Sequence, residues 1–101
     1  MNYVFEIADK TGREIKLTKR QWKHVIKRHP YMEKYLEEIK ETLKIPDKLI
    51  IKLYNKGYYY KNYKYLKKPN KFILVVVKYL NREGFIITSY LKEKISEQNE
   101  Y

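Results

Sequence analysis

The chain has 101 residues, of which 23 are Lys or Arg and 12 are Asp or Glu, so its net charge is +11 at neutral pH. The length fits one domain, 1–101, and not two. The absence of cysteine excludes disulfide scaffolds, thiolate zinc sites and cysteine nucleophiles. The charge excess favours a polyanionic partner, with nucleic acid ahead of an anionic membrane surface.

The sequence has none of the signals of a membrane or secreted protein. Its longest apolar run, Phe72–Val77, is far shorter than the roughly 18 residues of a membrane span. The first ten residues lack the basic start and apolar stretch of a signal peptide. We therefore expect a soluble cytoplasmic protein without a membrane partner.

The first elements predicted are a β-hairpin and a helix. Strands at Tyr3–Ile7 and Glu14–Leu17 alternate in polarity around a turn that contains Asp9 and Gly12. The next residue, Thr18, begins a capping box and should start a helix. That helix presents an apolar stripe at helical spacing: Trp22, Val25, Ile26 and His29.

A second helix is predicted after Pro30, which ends the first helix and suits the first position of the next. Its apolar face is formed by Met32, Tyr35, Leu36, Ile39 and Leu43. Its outer face is acidic, with Glu33, Glu37, Glu38 and Glu41. The motif Ile45-Pro46-Asp47 ends it.

The remainder of the chain predicts four strands joined by short turns. They are Lys48–Tyr54, Tyr58–Tyr65, Lys71–Leu80 and Phe85–Leu91. The near-continuous apolar run of the third indicates a central strand covered on both faces. We expect an α+β fold in which the hairpin and two helices pack on a four-stranded antiparallel meander, with 92–101 as a peripheral tail.

The distribution of acids disfavours a metal-dependent nuclease, which needs several carboxylates in one place. Asp9 and Asp47 both lie in turn contexts, and the glutamates concentrate on one helix. We expect no metal and no cofactor. The remaining His, Lys, Arg and Tyr side chains suit RNA cleavage by the substrate's own 2′-hydroxyl, which leaves a 2′,3′-cyclic phosphate and a 5′-hydroxyl.

Both histidines are candidates for proton transfer. His29 lies at the junction of the two predicted helices, where it either acts in catalysis or caps the second helix beside the core. His24 lies one helical turn before Arg28, so the two share a face that can contact a phosphate. The alternative for His24 is an ordinary solvated side chain.

Basic and aromatic residues interleave along the second predicted strand. Tyr58 and Tyr60 share one face with Lys64, while Lys61 lies on the other. Such a surface stacks bases and holds phosphates, so we predict these four residues to bind substrate. The alternative is that the tyrosines make cross-strand pairs on a half-exposed sheet.

The last two predicted strands contain a cation and two hydroxyls that depend on register. Lys78 ends the apolar run and either reaches the sheet edge or meets phosphate on an open face. Pairing of Leu80 with Phe85 places it on the face of Ser89, and a shift of one residue places it on the face of Thr88. The sequence leaves both registers open.

Several motifs in a fixed order resemble one nuclease superfamily. They are Asp9-Lys10-Thr11-Gly12-Arg13, Leu17-Thr18, Trp22-Lys23-His24-Val25, Arg28-His29-Pro30, Thr42-Leu43, Pro46-Asp47, Leu74-Val75-Val76-Val77-Lys78 and Gly84-Phe85-Ile86-Ile87-Thr88-Ser89-Tyr90-Leu91. Together they resemble the phage-encoded branch of the BECR superfamily, which is named for barnase, EndoU, colicin tRNases and RelE. The resemblance spans about 9–91.

The resemblance implies helices packed on an antiparallel sheet, and metal-independent RNA cleavage by toxins or effectors. RNA is the implied substrate, and a cognate antitoxin or immunity protein is a further implied partner. Tyr31 departs from the pattern, because an acid is typical there. The positions that match the polar motif residues of the family are His24, Arg28, His29, Lys78, Thr88 and Tyr90.

The leading hypothesis is therefore a metal-independent endoribonuclease that is toxin-like or processes RNA. Either histidine serves as base or acid, Arg28 and Lys78 stabilise the phosphorane, and a hydroxyl of Thr88 or Ser89 holds a phosphate oxygen. Tyr60 or Tyr90 positions or protonates the substrate. The two alternatives are a non-catalytic RNA-binding module and a protein-interaction domain with incidental basic charge.

Overall fold

A computed structural model describes residues 3–96 and shows an α+β fold built on one six-stranded mixed sheet. The strands are β1 Tyr3–Ala8, β2 Glu14–Thr18, β3 Lys48–Lys52, β4 Lys56–Asn62, β5 Phe72–Leu80 and β6 Glu83–Lys92. Between β2 and β3 lie α1 Lys19–Arg28, a 3₁₀ helix Pro30–Tyr35 and α2 Leu36–Lys44. No helix in this part of the chain is long and apolar enough to cross a membrane.

The strand order in the sheet is β1-β2-β6-β5-β4-β3. The predicted antiparallel meander of the last four strands is confirmed, but the prediction of a four-stranded sheet is wrong. The N-terminal hairpin continues the same sheet, because β2 pairs in parallel with the start of β6. Polarity alternation predicts a strand but not which edge it joins, and an unpaired edge of β6 offers backbone groups to any strand that reaches it.

The helices cover one face of the sheet and leave the other open. Val25 and Leu43 of the helices pack with Ile73 and Val75 of β5 in the main core. A second, smaller cluster on the opposite face contains Leu74 of β5. The central strand is thus apolar on both sides, as its unbroken hydrophobic run predicts. We call the face without helices the open face.

Helix α1 lies where β2 leaves the edge of β6. Thr18 caps the helix as predicted, since its hydroxyl accepts a hydrogen bond of 3.0 Å from the Gln21 backbone N–H. The side-chain amide of Gln21 donates to the carbonyl of Ile87 in β6. Because β2 pairs with β6 only as far as Phe85, the rest of that strand edge is available to α1. This contact anchors the first turn of α1 on β6, and at the other end of the helix the ring of His29 stacks on that of Tyr90.

The second predicted helix is divided in two. His29 has φ −136° and ψ 73°, so helical geometry stops there, and Pro30 starts a 3₁₀ helix. Its first turn is closed by the Met32 N–H, which donates to the His29 carbonyl at 2.9 Å. The predicted apolar face is nevertheless confirmed. Met32, Ile39 and Leu43 are buried, and Tyr35 and Leu36 pack against them.

The register between β5 and β6 contains a bulge that decides which hydroxyl shares a face with Lys78. Near the turn Lys78 pairs with Phe85, whereas further along Val76 pairs with Thr88, so Ile87 is the extra residue. Lys78 and Thr88 therefore share the open face, and Ser89 lies on the opposite face. Of the predicted tail, residue 92 belongs to β6, Ile95 packs on the open-face cluster, and 97–101 lie outside the described residues.

Candidate active site

A cleft of about 400 Å³ lies where the end of α1 meets the bulged part of β6. It is lined by His24, Arg28, His29, Ile87, Thr88 and Tyr90. The helix contributes the first three residues and the strand contributes the others. Five of the six residues that match the polar motif of the resembled superfamily therefore lie around one opening. Two packing features, the Gln21 contact and the bulge at Ile87, bring the two sets together.

His29 is held in the cleft by aromatic contacts on two sides. Its ring stacks on that of Tyr90, with centroids 5.1 Å apart and planes inclined by 27°. On another side, Tyr31 meets it edge-on at 5.9 Å, and the Tyr31 hydroxyl lies 3.3 Å from Nδ1 of His29. A hydrogen bond to one ring nitrogen selects the role of the other. The imidazole is thus oriented before any substrate binds.

The surroundings of His29 favour its neutral form. Partial burial lowers the pKa of His29 below its usual 6.5, because desolvation penalises the charged ring. The neighbouring Arg28 cation lowers this pKa further by repulsion. A neutral imidazole at pH 7 is able to accept a proton, which is the property required of a general base.

His24 and Arg28 are both exposed and lie four residues apart on α1, so their side chains share one face of the helix. Within residues 3–96, the ion pairs involve Lys16 and Lys40 but not Arg28. The Arg28 guanidinium at the cleft is therefore not neutralised by a described carboxylate. An uncompensated guanidinium beside a histidine is suited to a phosphate diester.

The strand side of the cleft contributes hydroxyls. Thr88 follows the extra residue of the bulge and is partly exposed at the cleft. Bulges near binding sites change the direction in which a strand presents its side chains. The hydroxyl of Thr88 can donate to a phosphate oxygen, and Tyr90 forms the aromatic support of His29.

Two other residues predicted from the last strands lie elsewhere. Lys78 occupies the open face, but its ammonium group donates to the carbonyl of Tyr54 in the β3–β4 turn, and it does not line the cleft. Ser89 is only 1% exposed, and its hydroxyl donates to the Leu74 carbonyl at 2.8 Å. The structure thus groups Thr88, and not Ser89 or Lys78, with the histidines.

The tyrosine and lysine residues predicted to bind substrate are dispersed. Tyr60 is 1% exposed and packs edge-on against Phe72, with centroids 6.3 Å apart. Tyr58 lies on the open face, within cation–π distance of Lys52. Lys61 donates to the Ile45 carbonyl on the helical side at 2.9 Å. The fourth residue, Lys64, is exposed in the turn after β4.

Tyr31 is a site residue that the pattern of the sequence did not indicate. It lies in the 3₁₀ helix, at the position where the resemblance implies an acid, and its hydroxyl contacts Nδ1 of His29. A tyrosine can orient an imidazole by hydrogen bonding, as a carboxylate does, without adding negative charge. Its signal in the sequence is its position two residues after His29, across the Pro30 that begins the 3₁₀ helix.

Comparison with known proteins identifies the family of this chain. A family model described as "phage-Barnase-EndoU-ColicinE5/D-RelE like nuclease2", or PBECR2, matches residues 4–101. No curated protein and no solved structure matches the chain significantly. Within residues 3–96, no group of three or more His, Asp or Glu side chains is arranged to hold a metal ion. On the family match, which covers nearly the whole chain, this protein belongs to the PBECR2 family of phage barnase–EndoU–colicin–RelE-like nucleases.

Proposed function

We propose that the protein is a metal-independent endoribonuclease that cleaves RNA by attack of a 2′-hydroxyl on the adjacent phosphodiester. The observation that supports this proposal is the meeting of two histidines, an arginine, a threonine and a tyrosine around one cleft. The histidines suit proton transfer, the arginine and the threonine suit stabilisation of phosphate charge, and the tyrosine supports the ring of one histidine. The family is one of nucleases, and the proposal adds the substrate and the mechanism.

In this mechanism His29 is the general base. Its neutral imidazole takes the proton from the 2′-hydroxyl while that oxygen forms a bond to phosphorus. The bond from phosphorus to the 5′-oxygen then breaks, and His24 in its protonated form gives a proton to the leaving oxygen. The products are a 2′,3′-cyclic phosphate and a 5′-hydroxyl, and the step consumes no water.

Arg28 and Thr88 act on the charge that develops at phosphorus. The guanidinium presents fixed N–H donors to the non-bridging oxygens, and the hydroxyl offers one more donor from the opposite wall. Tyr90 and Tyr31 touch the imidazole and not the phosphate, so we assign them to positioning His29. Together they hold the imidazole of His29 in a fixed orientation in the cleft.

The open face supplies a surface that suits RNA. The register places Lys48, Lys52, Lys56 and Lys78 on this face of β3–β5, and no acid lies on it in these strands. Four glutamates lie on the helical side, along α2 and the 3₁₀ helix. Three others lie on the open face, but in the strands at the opposite side of the sheet: Glu6, Glu14 and Glu83. The lysines of β3–β5 attract a polyanion to their part of the open face.

The test is cleavage of labelled RNA by the purified protein in buffer that contains EDTA. We expect cyclic-phosphate ends, no cleavage when the nucleotide before the scissile bond is 2′-deoxy, and a loss of about a hundredfold or more in His29→Ala. Arg20→Ala is a matched surface control on the same helix, because Arg20 is exposed and does not line the cleft. Salt-dependent binding without products would instead support an RNA-binding module.

A further inference from the structure

A second pocket of about 340 Å³ adjoins the candidate active site. It is lined by Tyr31, Lys34, Tyr35, Lys67, Asn70 and Leu91. The two sites are neighbours through Tyr31, whose ring lies 5.9 Å from that of His29, and through Leu91, which follows Tyr90 in β6. The second pocket shares no lining residue with the cleft, so it is a separate surface reached from the same strand edge.

The chemistry of this pocket matches one nucleotide. Tyr31 is exposed, so its ring is able to stack on a base, whereas Tyr35 packs against the core and has the Lys34 ammonium 5.3 Å from its ring centroid. Lys34 and Lys67 provide positive charge for a phosphate. The side-chain amide of Asn70 has both donors and an acceptor, which is the combination that reads the edge of a nucleobase. The only acid in the 3₁₀ helix, Glu33, is exposed and does not line the pocket.

The loop that supplies Asn70 is tied to the strand of the active site. The Asn70 N–H donates to the Lys67 carbonyl at 3.1 Å, which closes a turn. The following residue, Lys71, donates its N–H to the Lys92 carbonyl at the end of β6 at 2.9 Å. Asn70 is partly buried. These bonds fix the backbone of Asn70 relative to the end of β6, and pre-organised positions discriminate best between ligands.

We propose that this pocket binds the base of the nucleotide next to the scissile phosphate and gives the enzyme a sequence preference at that position. The proposal rests on the proposed function for the identity of the substrate. Tyr31 then has two roles, since its hydroxyl contacts His29 while its ring borders the base pocket. Binding of the correct base and orientation of the imidazole are thereby linked through one side chain.

The test is a double-mutant cycle between Asn70→Ala and removal of a base from the RNA. In wild-type protein, an abasic ribose in place of the nucleotide that the pocket binds should reduce kcat/KM by about tenfold. Asn70→Ala should reduce cleavage of intact RNA by a smaller factor, because stacking on Tyr31 remains, and should leave cleavage of the abasic RNA unchanged. Asn62→Ala, an exposed asparagine at the end of β4, is the matched control.

A binding measurement separates this proposal from the proposed function. RNA that is 2′-O-methylated cannot be cleaved by its own hydroxyl, so its Kd reports binding alone. We expect intact RNA to bind wild type about tenfold more tightly than abasic RNA, and Asn70→Ala to narrow this difference, because only the stacking contribution remains. If Asn70→Ala affects both RNAs by the same factor or affects neither, the base pocket is wrong, whether or not the protein cleaves RNA. Absence of cleavage with base-dependent binding would overturn only the proposed function.

Discussion

The imidazole of His29 stacks on the phenol ring of Tyr90 at a centroid distance of 5.1 Å. One residue ends a helix and the other lies in a strand, and 60 positions separate them in the sequence. The stack therefore connects the two walls of the cleft. The Tyr31 hydroxyl, 3.3 Å from Nδ1, restrains the same ring from another direction. His29 is oriented by residues that do not themselves need to react.

Loss of the stacked ring should reduce the rate more than loss of its hydroxyl. Tyr90→Ala removes the surface that orients His29, and we expect kcat to fall by about tenfold to a hundredfold. Tyr90→Phe keeps the ring and should stay within about threefold of wild type. RNA cleavage under single-turnover conditions measures both. Equal loss in the two variants would mean that the hydroxyl of Tyr90 takes part in the reaction.

The activity should depend on pH through the lowered pKa of His29. If His29 is the general base, kcat/KM rises with pH and levels off once the imidazole is neutral, with an apparent pKa below 6.5. Arg28→Gln removes the repulsive charge, so the pKa of His29 should increase and the rise in kcat/KM should occur at higher pH. NMR titration of the His29 ring checks the same pKa without substrate. A value at or above 6.5 in the wild-type protein would contradict this assignment.

The same shift predicts how His29 contributes to stability. Its pKa is lower in the folded than in the unfolded chain, so below pH 6.5 the unfolded state binds more protons. The contribution of the neutral ring to the free energy of unfolding is therefore complete above about pH 6.5. It is lost as the pH falls through the pKa that His29 has in the folded protein. His29→Gln should flatten this part of the stability curve. Urea unfolding of the wild-type and His29→Gln proteins at pH values from about 8 to about 5 measures the difference in their free energies of unfolding.

Arg28 and Lys78 should differ in their effects on short and long substrates. Arg28 lines the cleft, so Arg28→Gln should reduce cleavage of a dinucleotide by about a hundredfold. Lys78 lies on the open face and contacts the Tyr54 carbonyl. Lys78→Gln should weaken binding of long RNA and lower its salt dependence, while dinucleotide cleavage changes by less than about threefold. A loss of dinucleotide cleavage in Lys78→Gln would place that residue in the catalytic machinery.

The two turn aspartates should differ in their contributions to stability. Asp9 is 7% exposed, and its carboxylate accepts bonds from Thr11, Arg13 and the buried Tyr59 hydroxyl. Asp9→Asn weakens these charge-assisted bonds and should cost about 2–3 kcal/mol.

The exposed Asp47 is the matched control. It accepts one backbone bond of 2.7 Å, from Asn62, so Asp47→Asn should cost less than about 1 kcal/mol. Urea denaturation of the two variants provides the comparison. Equal losses of unfolding free energy in the two variants would show that burial of Asp9 does not strengthen its hydrogen bonds.

Local patterns were sufficient for most elements. The hydroxyl of Thr18 and the start of α1, the strand alternation of the hairpin, and the apolar run of β5 each act within a few residues, and each prediction is confirmed. Pro30 marked the end of α1, but it did not indicate that the following turns are 3₁₀, with Met32 buried in the core. Where the outcome depends on packing, local pattern is not enough.

The sequence by itself determined the basic charge, the α+β class, the order of the elements and the set of side chains available for chemistry, because these depend on composition and on periodicity. Only the tertiary structure decided which of those side chains meet. The parallel pairing of β2 with β6, the bulge at Ile87 and the turn that returns Tyr31 to His29 are non-local or depend on a one-residue shift. They gather His24, Arg28, His29, Thr88 and Tyr90 and separate them from Lys78 and Ser89, because a shift of one residue in a strand reverses the face of every side chain after it.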